Sequence, residues 1–392
     1  MHTLIELYDE RPLENVLGVE VFRPERVVYV CPKRVARDKS IQRRLRDYFN
    51  HRGQAVDLEF VKADVFHADA ILKTLRRVAA SDPDCAVDIT GGTDAVLYAA
   101  GLLGAESGVP AFTYSRRKNC FFNIRNAEYA DELPCKVVYS VEDCFRMAGG
   151  SMREGRVDNG LLNRYREDFE PFFRLYLKHR RDWTKIVTFI QRLSQTAPEA
   201  PIPLEVSGPY EVKGERAARI EAPEEALRDL VEIGFLSQLQ IVPKQSVAFR
   251  FRDKQIRTWL RDVGSVLELY VYKACLDSGL FDDVRSSAVV DWNGDETDHA
   301  VSNELDVMCT RGITPVFISC KTCLIRTEAL NELAVLRDRF GGEIARAAIV
   351  TAEPAGASAR NRAAELNIRV IDLNDLEDGL LGQDVQSLMN AR

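Results

Sequence analysis

Two short stretches of the chain carry residue types at spacings that suit chemistry. The first is NELDVMCTRGITPVFISCKTC, residues 303–323. Residues 305–310 and 315–321 read as strands joined by a four-residue link containing Gly312, an antiparallel hairpin. Side chains alternate faces along a strand, so Glu304 and Asp306 point one way, and Ser319 and Lys321 share a face. With the turn centred near Ile313, Asp306 lies across from 319–321. The hairpin therefore brings carboxylates and an ammonium together, with Leu305, Val307, Phe317 and Ile318 to anchor it. Taken alone, the same residues also fit a cross-strand ion pair on a solvated sheet face.

The second stretch is AVDITGGTDAVLYAAGLLG, residues 86–104. A buried strand ending at Thr90 turns through Gly91, Gly92 and Thr93 directly into a helix. Glycines let a backbone approach a ligand closely, and helix N-terminal amides favour anions. The spacing is not GxGxxG, so a nicotinamide cofactor is not indicated. Asp9 and Arg11 follow the first strand, Lys33 the second, and Arg116, Arg117 and Lys118 follow AFTYS. Ligands of open parallel sheets bind beyond the carboxyl ends of the strands, and several cations there suit a phosphate-bearing ligand. Each cation by itself also fits ordinary surface charge, and the Gly-Gly turn a tight connection.

These residues need elements to position them. Over the first 150 residues the pattern alternates: strands at 3–7, 26–31, 57–61 and 86–90, helices at 41–51, 68–80 and 93–103. Alternation of this kind predicts an open, mostly parallel sheet with helices on both faces. From 151 to 263 the pattern is mostly helical, with candidates at 161–177 and 183–193. A Pro-containing stretch at 196–212 breaks the order. A helix and two strands at 238–242 and 246–251 follow, like part of a winged helix-turn-helix. From 264 onward the order is helix (265–278), strand (284–290), the hairpin, helix (328–340), strand (347–351), helix (357–366) and strand (369–373). Three parts are thus expected: 1–150, 151–263 and 264–392.

Composition bounds the rest. The 392 residues suit two or three domains. No apolar run approaches the ~20 residues needed to span a bilayer. The start, MHTLIELYDERPL, lacks a basic region ahead of its apolar stretch, so no signal peptide and a cytoplasmic location are expected. A net charge of −7 argues against a coat of positive charge for bulk nucleic-acid binding. The nine scattered cysteines suit a reducing compartment. Cys320 and Cys323 form one CxxC and Cys309 offers a third sulfur, but no fourth zinc ligand is apparent.

The element order after 264 resembles the core of the PD-(D/E)XK nuclease fold. The resemblance puts Asp306 at the metal-binding aspartate, Ser319-Cys320-Lys321 at the (D/E)-X-K triplet, and Glu268 at the helix glutamate. Phosphodiester cleavage needs an attacking water and neutralised phosphate charge, which a divalent ion held by carboxylates supplies. Mn²⁺ and Mg²⁺ are hard ions that prefer oxygen ligands. In this reading Asp306 binds metal, Glu268 or Glu304 completes the acidic set, and the backbone carbonyl of Cys320 is a further ligand. Lys321 then sits beside the water and steadies developing charge. Ser319 departs from the pattern, because a hydroxyl brings no charge. Glu304 is the acid to take over, or Glu328 or Glu332 reaching from the next helix; the helix acids equally fit a solvated face.

Joined to DITGGTDAVLYAAG and the opening LIELYDERPLENVLGV, this half makes the chain resemble the two-part nucleases of type III CRISPR systems. These join a CRISPR-associated Rossmann-fold (CARF) domain to a PD-(D/E)XK nuclease. The resemblance implies an α/β protein with an N-terminal Rossmann-like CARF domain, a helical, winged-helix-like middle and a restriction-endonuclease-like end. It implies a homodimer that binds a cyclic oligoadenylate, the cyclic tetramer first, and then cleaves single-stranded RNA or DNA. A cyclic tetranucleotide has the two-fold symmetry of a C₂ cleft. Asp9, Arg11, Lys33, Thr90, Gly91, Gly92, Thr93, Arg116 and Lys118 become the ligand-binding set. The alternative is a ligand-responsive transcription regulator, with its DNA binder at 224–251 and a degenerate nuclease fold. It leaves Asp306 and Lys321 unused and sits poorly with the acidic charge balance.

Overall fold

The strands of the first 150 residues are apolar on both faces because helices cover both. The computed structural model describes residues 1–154, 159–195, 203–214, 218–292 and 302–390. Its first sheet contains β1 (Thr3–Leu7), β2 (Arg26–Cys31), β3 (Asp57–Lys62), β4 (Cys85–Asp88), β5 (Ala111–Ser115), β6 (Cys120–Arg125) and β7 (Leu133–Pro134). The order is β3-β2-β1-β4-β5-β6-β7. The first five strands are parallel, and β6 and β7 run antiparallel at the edge. Alternation sorts the side chains: Leu4, Val27 and Tyr29 meet Leu45 and Phe49 on one face, while Ile5, Val28 and Val30 meet Ile71, Leu75 and Val96 on the other. Sequence periodicity missed β6 and β7, and β4 ends at Asp88 rather than at Thr90, so the turn into the next helix starts two residues earlier.

The second large sheet is built from β8 (Ser151–Glu154), β14 (Asp283–Asp291), β15 (Ser302–Arg311), β16 (Thr314–Lys321), β17 (Arg346–Thr351) and β18 (Ile368–Ile371). Its order is β18-β17-β16-β15-β14-β8. β8, from the stretch read as helical, pairs with β14 through Ala288↔Glu154 to Asp291↔Ser151. In the chain between β8 and β14 lie helices Phe169–His179, Trp183–Leu193 and Glu224–Glu232 with β9 (Glu205–Pro209), β10 (Glu211–Lys213), β11 (Arg219–Glu221), β12 (Leu236–Val242) and β13 (Ser246–Phe251). β12, β13 and β9 form one small sheet. The Pro-containing break thus holds a strand; its residues 196–202 lie outside the described residues.

The second sheet joins two cores. Val307, Cys309, Val316 and Ile318 pack with Val266, Leu267 and Trp259 toward the middle of the chain. Met308 and Phe317, with Leu333 and Phe340 from helix Thr327–Gly341, share a core with Tyr139 and Phe145 of the N-terminal part. The two ends of the chain are therefore packed through continuous hydrophobic contact. No described helix is long and apolar enough to cross a membrane.

Candidate functional site

Asp306 is held by the strand opposite it. β15 and β16 pair antiparallel with Arg311↔Thr314, which leaves a two-residue loop, Gly312-Ile313, with Gly312 at φ +55°. That register carries Asp306 to the level of Ser319. Ser319 Oγ donates to Asp306 Oδ2 over 3.0 Å, the Cys320 N–H over 2.6 Å and Lys321 Nζ over 3.3 Å. A single carboxylate oxygen thus receives three donors from one triplet. Burial works against the charge on Lys321, but Asp306 and then Glu268 outweigh it, and the ammonium is held above its ordinary value.

Helix Ser265–Asp277 supplies the second acid. Glu268 and Leu269 line a cavity of about 170 Å³ together with Asp262, Glu304 and Asp306. Burial pushes the Glu268 carboxyl up to about 8, helped by Asp306, Asp262 and Glu304, with Lys321 pulling the other way. The helix starts here because Asp262 accepts from the Ser265 N–H at 2.8 Å and from Ser265 Oγ at 2.7 Å. Opposite, β14 carries Ser287 at φ +52° and 4% exposure, within an unbroken β14–β15 register that runs through Ser286↔Val307 and Ala288↔Leu305. Ser286 Oγ donates to the Asp306 carbonyl over 3.4 Å.

The expected catalytic residues Glu268, Glu304, Asp306 and Lys321 therefore come together. Glu304 is exposed at the cavity rim. The three acids share the cavity without meeting at one point. Among the described residues, the one group of three potential ligands within 4.8 Å is His179, Glu225 and Asp229. Lys178 already pairs with both acids of that group, at 2.9 and 2.7 Å. Glu332 is corrected: its carboxylate accepts from Asn303 Nδ2, and Asn303 in turn accepts from Trp292, so it is committed away from Asp306. Glu328 is exposed, and no described contact brings it to the cavity. Cys320 is buried and its thiol is pushed well up by burial, whereas Cys323 is exposed, so the CxxC sulfurs do not form a pair. Sequence reading missed Asp262, whose place three residues ahead of Ser265 was the one local signal that the two would bond.

In the first sheet the strand order reverses between β1 and β4, and the loops after these two strands meet there. The Gly92 N–H donates to Asp9 Oδ2 over 2.9 Å. A Cβ on Gly91 would stand 3.0 Å from both Asp9 Cβ and the Leu7 carbonyl, so only glycine allows this approach without a shift. Burial opposes the charge on Asp9, but Arg11, bonded at 2.9 Å, and the Gly92 amide hold the carboxyl below its usual range. Asn15 locks the loop by accepting from the Asp9 N–H and donating to the Asp9 and Arg11 carbonyls. Thr90 Oγ1 accepts from the Tyr114 N–H over 2.9 Å, which ties β5 to the turn. Thr93 is the N-cap of helix Asp94–Ser107 and is exposed.

Arg116 lies at the end of β5 and pairs with Glu14 and with Glu343. Lys33 and Lys118 are exposed, and no described contact joins either to Asp9 or Gly92; Lys118 instead lies 5.1 Å over the Phe122 ring. The sequence-predicted set thus divides into a tied group (Asp9, Arg11, Thr90 to Thr93, Arg116) and two outlying lysines.

Residues 254–387 match the family described as Card1-like, endonuclease domain. This covers the cavity lined by Asp262, Glu268, Glu304 and Asp306, with Lys321 bonded to Asp306, and calls for a divalent metal in general terms. No curated protein sequence matches the chain. Two solved structures share its fold along nearly the whole length. Protein VC1899 from Vibrio cholerae is 19% identical, with 98% of this chain and 97% of that one covered and a TM-score of 0.74. Can2 from Sulfobacillus thermosulfidooxidans, in complex with cyclic tetra-adenylate, is 15% identical, with 99% of each covered and a TM-score of 0.70. The architecture is a Rossmann-like parallel sheet followed by a domain that matches the Card1-like endonuclease family.

Proposed function

We propose that the chain is a metal-dependent nuclease switched on by a cyclic oligoadenylate, the cyclic tetramer first, and that it cleaves single-stranded RNA or DNA in type III CRISPR antiviral defence. The observation that carries this reading is the convergence of Ser319, Cys320 and Lys321 on Asp306, beside Glu268, in a domain matching an endonuclease family. The cyclic tetra-adenylate bound to Can2, a structure aligned over 99% of this chain, supports the activator.

The donor set suits Mn²⁺ or Mg²⁺. Carboxylate oxygens of Asp306, Glu268 and Glu304 are hard ligands, and burial first, then the neighbouring carboxylates, drives Glu268 toward its neutral form. Backbone N–H and C=O of one strand residue point to the same side, so the Cys320 carbonyl opens toward Asp306 as its N–H does. Bound there, the ion would lower the pKa of water and neutralise phosphate charge. Asp306, fixed by three donors, orients the acidic set. Lys321 holds a proton donor at the place where charge develops on the phosphate. Ser319 substitutes position for charge: it steers Asp306 in place of binding metal itself, and Glu304 or Asp262 supplies the missing carboxylate.

At the other end, Arg11, Arg116 and the amides of the Gly91–Gly92 turn offer charge-assisted donors to phosphates. We take the working unit to be a homodimer, whose two-fold cleft matches a two-fold symmetric ring. Activation follows only if the closed state binds the ring better than the open one. The test is cleavage of labelled single-stranded RNA and DNA with Mn²⁺, with and without cyclic tetra-adenylate. Ligand-dependent cleavage, lost in Asp306→Ala and Lys321→Ala, is expected. Duplex DNA binding without cleavage would instead favour the regulator, using helix Glu224–Glu232 and the β12–β13 hairpin.

A further inference from the structure

The two arginines of the N-terminal site do not face solvent alone. Arg11 lies 3.6 Å from Glu343, and Arg116 pairs with the same carboxylate. Glu343 belongs to the endonuclease half, in the short helix Gly342–Ile344 that leads into β17. Arg116 is also paired with Glu14, which is 2% exposed and fixed, whereas Glu343 is 64% exposed and free to leave. One carboxylate from the nuclease half thus occupies the cations suited to a phosphate.

The turn that carries Glu343 is braced on the catalytic strand. A Cβ on Gly341 would stand 2.9 Å from Phe317 Cε2 and 2.9 Å from Pro315 Cγ, so this backbone is seated on the first residues of β16. Gly342 follows at φ +61°, a conformation few other residues adopt. β16 ends at Lys321, and β17 runs beside it in parallel from Val316↔Arg346 to Lys321↔Thr351. Glu343 therefore sits at the near end of β16, whose far end carries the triplet, and of β17 beside it.

We propose that Glu343 competes with an activator phosphate for Arg11 and Arg116, and that its displacement is the step that couples the two halves. This rests on the activator reading above. Glu343 then restrains the nuclease and lowers ligand affinity at once, because a ligand must first break the Glu343 pairs. Linkage makes the two effects reciprocal. A merely adhesive ion pair would do neither.

The experiment is cyclic tetra-adenylate binding by calorimetry and Mn²⁺-dependent cleavage, on the full chain and on Glu343→Gln, which keeps volume and removes charge. Two partly exposed pairs are lost, so binding is expected about three- to tenfold tighter, with cleavage in the absence of ligand raised and the ligand-stimulated ratio reduced. In an Arg116→Ala background the Glu343→Gln gain in affinity is expected to shrink toward none. Thermal melts report whether each variant folds, and Glu343→Asp, which retains charge, is expected to stay nearer the parent. If the parent binds and responds while Glu343→Gln binds with unchanged affinity, the competition is wrong and the activator reading stands. If the parent chain does not bind the ring at all, the activator reading itself falls.

Discussion

Ser319 occupies the place where the nuclease triplet carries an acid, and its hydroxyl donates to Asp306 instead. A hydrogen bond to a charged group is worth about 1.5–3 kcal/mol at most, and two other donors remain, so Ser319→Ala is expected to slow Mn²⁺-dependent cleavage roughly tenfold. Unchanged single-turnover rates would assign the hydroxyl to packing. A second residue-level feature lies under the N-terminal site. Glu6 and Asp88, each 1% exposed, face Gly18, where a Cβ would stand 2.2 Å from Asp88 Oδ2 and 3.0 Å from Glu6 Oε1. Burial raises Asp88 to about 7 against the opposing bonds from Thr90, and burial followed by Asp88 raises Glu6 well above its ordinary value. Both carboxyls titrate near pH ~4 when unfolded, so the folded state holds the extra proton. The Asp88 contribution to stability is full below about pH 4 and is lost as pH rises through about 7. Asp88→Asn is therefore expected to melt higher than the parent at pH 8 and to flatten the pH dependence of Tm. Parallel pH profiles would show that the pair does not carry the proton.

Elements decide which backbone can approach a ligand. Gly92 sits at φ +102° with a hypothetical Cβ 3.1 Å from Leu7 Cβ, so a side chain is strained there by about 1–3 kcal/mol. That is small against the ~5–15 kcal/mol of a folded domain, so Gly92→Trp is expected to keep the fold and lose the response to cyclic tetra-adenylate. Far-UV circular dichroism with the cleavage assay checks both halves; full activation by the ligand would remove the turn from the binding site. In the nuclease half, Ser287 at φ +52° is the element-level counterpart. Its left-handed backbone lies beside the cavity inside an unbroken register, a sparsely populated conformation of the kind that clusters at active sites.

For the molecule as a whole, the first face to account for lies beside the Gly-Gly turn. Phe66 is 83% exposed and Tyr98 63% exposed, and Thr93 Oγ1 donates to the Val65 carbonyl over 3.4 Å, which brings their two segments together. Large apolar side chains left in water beside a proposed two-fold site fit a dimer contact. The double variant Phe66→Ser, Tyr98→Ser is expected to sediment as a monomer and to lose ligand activation. A variant that remains dimeric would put the interface on another face. The shared core of Met308, Phe317 and Phe340 with Tyr139 and Phe145 means that such a change need not stay local.

The sequence by itself determined what alternation and short-range spacing encode. Alternating strands and helices foretold the parallel sheet, and a short link containing Gly312 foretold the hairpin that sets Asp306 against Ser319, Cys320 and Lys321; the structure tightened that link to two residues. Only the tertiary structure decided contacts between distant segments. It placed β8 in the nuclease sheet, sent Glu332 to Asn303, brought Asp262 into the cavity, and set Glu343 on Arg116 across 227 positions of chain. The physical reason is that backbone geometry repeats over a few residues and leaves its period in the sequence. A pairing between two remote charges is selected by how whole elements pack, and no local period records it.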